Sequence, residues 1–118
     1  MKLTLEEAAK HLGWASIPQG WTVVPIARCA HVMTGFVLIG GNEIHAFRLP
    51  EFKGRWLTQH DIKRVTQPLI DKYGCVTTKV PTSNATGRKF VTRLGFVKTH
   101  EFSGITHYKA TRFNHARL

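Results

Sequence analysis

The residues whose types and spacing could do chemistry concentrate in Leu49 to Thr58, LPEFKGRWLT. Lys53 and Arg55 place two cations on either side of Gly54, and Thr58 and Gln59 open a helix pattern. A strand, a short polar loop and a helix N-terminus together offer an anion backbone N–H groups and the positive end of a helix dipole. A backbone that closes on a diphosphate needs glycines, because a Cβ would stand in the way. Here one glycine is followed by a bulky indole, Trp56. The stretch has the layout of a phosphate-binding turn with part of that chemistry replaced. Two readings stay open, a remnant anion site and an ordinary helix start with solvated bases. Trp56 reads as a lid, a partner anchor or part of the core.

Candidate general bases lie just upstream of and within this stretch: Glu43, His45 and Glu51. A base must reach the proton it abstracts. His45 alternates with Ile44 and Ala46 and so falls on one sheet face, whereas Glu43 is assigned to the turn. Tyr108 and Tyr73 are the candidate acids. The seven histidines lack metal-ligand spacing, and Cys29 and Cys75 lack CxxC spacing, so no metal is expected and both thiols are read as buried and reduced. No nucleophile triad, Walker loop or dinucleotide fingerprint is legible.

The chain is basic, with 17 Lys and Arg against 7 Asp and Glu and a net charge of +10, which suggests an anionic partner. Bases cluster in Lys53 to Arg64 and Arg88 to Arg93, with Arg112 and Arg117 in the tail. No run approaches the roughly 18 apolar residues of a membrane helix. The N-terminus carries two glutamates and helix periodicity, unlike a signal peptide, so a cytoplasmic protein is expected.

These residues need elements to position them. Thr4 and Glu7 form a capping box for a helix over residues 4–13, with Leu5, Ala8, Ala9 and Leu12 on one face. Trp21 to Cys29 is a strand that Pro25 confines to an edge or a bulge. His31 to Gly40 is a second strand. The turn Gly40-Gly41-Asn42-Glu43 reverses the chain into an antiparallel third strand, Ile44 to Leu49. The next helix runs from about Gln59 to Tyr73 with Ile62, Val65, Leu69, Ile70 and Tyr73 inward, and Pro68 predicts a kink or break. Cys75 to Val80 is a strand reached by a helical crossover, hence parallel to the third. Asn84 caps a helix with Phe90, Val91 and Leu94 inward. Phe96 to Phe102 and Ile105 to Thr111 form the last hairpin. The pattern predicts one α+β domain over residues 1–118, with 112–118 as a mobile tail.

From Trp21 to Thr111 the chain resembles the GNAT N-acetyltransferase superfamily. Two pieces carry the resemblance. In the family, a Gln/Arg-x-x-Gly-x-Gly/Ala loop, often preceded by Pro-Glu and an aromatic residue, stands where Pro50, Glu51, Phe52, Gly54 and Arg55 keep the surrounding pattern. The second piece is NATGRKFVTRLGF, where Asn84, Leu94, Gly95 and Phe96 match the family's Asn, short helix and Leu-Gly-Phe before a last hairpin. The departures are specific. Lys53 stands for the Gln/Arg, Trp56 and Thr58 stand for the two loop glycines, and Val91 stands where the usual late tyrosine falls.

The resemblance implies an α/β sandwich with a mixed, mainly antiparallel central sheet and helices on both faces. It implies that acetyl-CoA or coenzyme A, if the site is intact, would meet Phe47, Leu49, Lys53, Gly54, Arg55, Trp56, Thr58 and Asn84. It also leaves His45, Glu51 and Tyr108 as the catalytic candidates. The short form, the altered loop and the charge are most similar to small GNAT-like proteins of bacteriophages, some of them virion or assembly components. Three functions follow: a non-catalytic binding, structural or assembly factor, a divergent N-acetyltransferase, and a nucleic-acid-binding module.

Overall fold

The computed structural model describes residues 4–29, 32–50 and 56–112. The chain is α+β and divides into two compact units, Met1–Thr58 and Gln59–Leu118.

The first unit holds α1 (Leu5–Leu12), β1 (Thr22–Cys29), β2 (Val32–Gly40) and β3 (Glu43–Arg48), its strands paired antiparallel in the order β1-β2-β3. The capping box forms as expected. The Thr4 hydroxyl accepts from the Glu7 N–H, the Glu7 carboxylate reaches back to Thr4, and Gly13 closes the helix at φ 75°. Ala8 and Ala9 are buried, while Leu5 points to solvent against the expected stripe. β1 pairs on one side only within this sheet, and its register shifts just after Pro25, between Ile26 and Ala27. A proline that cannot donate to a ladder fits such an edge. The β2–β3 turn is tighter than the sequence suggests. Gly41 and Asn42 alone make it, with Gly41 at φ 60°, so Glu43 is the first residue of β3 and pairs with Gly40.

The second unit holds α2 (Gln59–Tyr73), β4 (Val76–Pro81), α3 (Ala85–Leu94), β5 (Val97–Phe102) and β6 (Ile105–Ala110). Its strands pair antiparallel in the order β4-β6-β5. Val76, Thr78, Val80, Thr106, Tyr108 and Ala110 form the buried face. The Ser103-Gly104 turn has positive φ at both residues, 51° and 76°, the backbone that a two-residue hairpin favours. α2 keeps the expected bounds but runs unbroken through Pro68. Pro68 sits on an exposed position, while Ile62, Val65 and Thr66 anchor the buried side. The lost N–H therefore costs one solvent-side hydrogen bond and leaves the packing intact. Tyr73 is exposed, against its place in the expected stripe, and Cys75 is half-buried, not buried as expected, and in no disulfide. Of the tail expected over 112–118, residues 113–118 lie outside the described residues, as does the side chain of Cys29. No helix among the described residues is long and apolar enough to cross a membrane.

Candidate functional site

Glu51, Phe52, Lys53, Gly54 and Arg55 lie outside the described residues, so the cationic part of the loop has no structural account. Its two flanks do. Leu49 and Leu57 are both buried. The Leu49 N–H donates to the Thr34 carbonyl at 3.0 Å. The Thr34 hydroxyl donates to the Trp56 carbonyl at 2.8 Å, with the Ile26 carbonyl a longer acceptor at 3.3 Å. Thr34, a fully buried residue of β2, thus ties down both ends of the loop. The Trp56 ring is placed just as firmly. A Cβ added to Gly35 would lie 2.5 Å from Trp56 Cε3 and would also strike the Phe47 carbonyl oxygen. The glycine leaves room for both the indole and the Phe47 carbonyl beside β2. Thr34→Val should remove the shared donor and leave the buried Ile26 carbonyl and the part-buried Trp56 carbonyl short of one bond, lowering stability by about 1–2 kcal/mol. Chemical denaturation of the variant checks this.

His45 and Phe47 lie on the other face of the same strands. The cross-strand pairs Leu38↔His45 and Phe36↔Phe47 alternate with Gly35↔Arg48, and successive side chains point to opposite faces. Because Glu43 begins β3, it shares the His45 face. The His45 Nε2–H donates to the Glu43 carboxylate at 2.7 Å, which leaves Nδ1 as the second ring nitrogen. Trp21 stacks on the His45 ring at 5.7 Å, and Trp14 meets it edge-on at 5.9 Å. Phe47 stacks on Phe36 at 5.2 Å. An imidazole so enclosed is held by its neighbours, and it faces away from the Trp56 indole.

The remaining candidates belong to the second unit or its border. Asn84 is the N-cap of α3, its side-chain oxygen accepting from the Gly87 N–H at 3.0 Å. Tyr108 is 6% exposed on the buried face of β6, and Val91 is buried in α3. Thr58 is half-buried, and Tyr73 lies at the exposed end of α2 under the Lys72 ammonium, 5.2 Å from its ring centroid. Among the described residues no three His, Cys, Asp or Glu side chains are grouped to hold a metal ion.

The structure therefore joins Leu49 to Trp56 through Thr34, and His45 to Glu43, but puts the Trp56 indole, against Gly35, on the opposite sheet face from His45. Thr34, Gly35, Trp14 and Trp21 escaped the sequence reading. A glycine inside a strand run, as in TGFVLIG, marks close approach of another group and was the available signal for Gly35. Neither a protein-family model nor a curated protein matches this chain.

Proposed function

We propose that this chain is a GNAT-like α/β sandwich that has lost acyl transfer and acts by binding, as a structural or assembly factor of the bacteriophage virion type. One observation carries the reading: Trp56, at the position of the family's first loop glycine, is seated against Gly35 and held through its carbonyl by Thr34. A turn that receives a pyrophosphate needs bare, approachable backbone N–H groups there. An indole tied at both ring and carbonyl is a poor element to displace.

Two other family positions, Asn84 and Val91, are occupied by structural work. Asn84 caps α3, and Val91, at the tyrosine position, has no proton to give a leaving thiolate. His45, the imidazole among the candidate bases, lies on the sheet face away from Trp56. A binding protein in the cytoplasm of a host or inside a virion accounts for the +10 charge without requiring a cofactor.

Calorimetric titration with acetyl-CoA and coenzyme A at low salt tests the reading. A flat trace up to millimolar ligand is the expected result. Micromolar binding to both would overturn it and make the divergent N-acetyltransferase the better account.

A further inference from the structure

The outer face of the β4-β6-β5 sheet is built unlike an ordinary solvated surface. Register sorts it into three cross-strand rows. Pro81, Ile105 and Phe102 form the first, Lys79, His107 and His100 the second, and Thr77, Lys109 and Val97 the third. These nine residues include two lysines and no carboxylate. Two large apolar side chains stand open on them, Phe102 at 72% and Val97 at 68% exposure. His100 and His107 stack face to face, 4.1 Å between centroids and 12° from parallel.

The histidine pair is held in place. β5 carries an extra residue at Thr99, where its register shifts between Lys98 and His100. The Thr99 hydroxyl donates to the His107 carbonyl at 3.2 Å and lies 3.0 Å from His100 Nδ1, from which it accepts. The bulge thus pins the His100 ring over its neighbour. The same bulge interrupts the edge of β5, and Lys98 beside it places a charge there, both of which discourage pairing with another strand. The feature open to a partner is therefore the face. Beyond its third row a cleft of about 820 Å³ continues past Lys109, lined also by Thr99, Thr111 and Arg112.

We propose that this face binds single-stranded nucleic acid. Planar rings standing on the sheet beside lysines, with no carboxylate among these nine residues, match the two needs of a single strand: stacking for the bases and positive charge for the phosphates. Phe102 and the His100–His107 stack receive bases, and Lys79, Lys109 and Arg112 meet the backbone. Three strands and three rows accommodate about two or three bases. An acidic protein surface would use the lysines but leave the exposed ring planes without a role. The inference deepens the proposed binding function by naming the partner. It rests on the second unit, so coenzyme A binding at the first would overturn the non-catalytic reading while leaving this one standing.

The test is fluorescence anisotropy of a labelled 12-nucleotide single strand titrated with the full chain, in 25 mM and 200 mM salt. Binding is expected at low salt, at least tenfold tighter than to a duplex of the same length. Phe102→Ala should weaken it about tenfold or more. Lys79→Gln with Lys109→Gln should lower the slope of log K against log salt by about 1.4, the value for two single-strand phosphate contacts. Lys63→Gln with Lys89→Gln removes the same charge from exposed helix positions and should change affinity less than twofold. Circular dichroism melts keep the comparison to folded variants. No anisotropy change at low salt overturns the proposal. So does equal weakening by the two lysine pairs, binding unaffected by Phe102→Ala, or tighter binding to anionic vesicles or an acidic peptide.

Discussion

A Gly35→Ala variant is expected to melt roughly 10–15 °C below the parent chain. The backbone at Gly35 is an ordinary strand conformation, so conformational freedom is not what the glycine supplies. It supplies space. A methyl group there would lie 2.5 Å from the Trp56 ring and would also press on the Phe47 carbonyl oxygen. The ring could shift, but the carbonyl belongs to the β2–β3 ladder and cannot move without breaking register. Overpacking costs about 1–3 kcal/mol, and a backbone wall puts this case near about 3 kcal/mol. At roughly 3–5 °C per kcal/mol for a chain of this size, the expected shift follows. Trp56→Ala in the Gly35→Ala background should recover part of the loss, because it clears the ring contact and leaves the carbonyl contact. Thermal melts of the four chains give the coupling directly. A Gly35→Ala variant that melts within about 3 °C of the parent would mean that Trp56 is loosely seated, and the closed phosphate turn would lose its support.

How much of this was legible depended on how local each cause is. The capping box of Thr4 and Glu7, the bounds of α2 and the Asn84 cap are short-range chemistry, and the sequence reading matches the structure there. Pro68 predicts a kink or break when its lost hydrogen bond alone is counted, and the exposed side of α2 that it occupies is what leaves the helix whole. Glu43 was placed in the turn because four turn-forming residues were counted where two suffice. That single-residue difference hid the Glu43–His45 pair, since it changes which face Glu43 shares. The tie from Thr34 to Trp56 spans 22 residues, and no local pattern encodes it. The His100–His107 stack has a nearer cause: the two-residue Ser103-Gly104 turn sets the register Phe102↔Ile105, Glu101↔Thr106 and His100↔His107 before the bulge at Thr99 is reached.

The other large effect is expected from Phe36→Ala. Phe36 has no exposed surface, lies midway along β2 between Pro25 and Phe47, and stacks on the Phe47 ring. The His11 ring of α1 approaches both phenyl rings, at 6.1 and 5.8 Å between centroids. Removing the phenyl of Phe36 therefore empties the place where helix and sheet of the first unit meet. Such truncations cost about 3–5 kcal/mol, because the lost transfer free energy is joined by a cavity that neighbours only partly fill. Phe47→Ala should cost less, since Phe47 is only half-buried and solvent can enter where it stood. Phe36→Leu should cost less than about 1.5 kcal/mol, because it keeps most of the volume. Trp14, Trp21 and Trp56 all lie in the first unit, so tryptophan emission during urea unfolding reports on this unit for all three variants. The order Phe36→Ala, then Phe47→Ala, then Phe36→Leu is the test. If Phe47→Ala proved as damaging as Phe36→Ala, the stacked pair itself would be the stabilising unit. The buried position of Phe36 would then not be what joins α1 to the sheet.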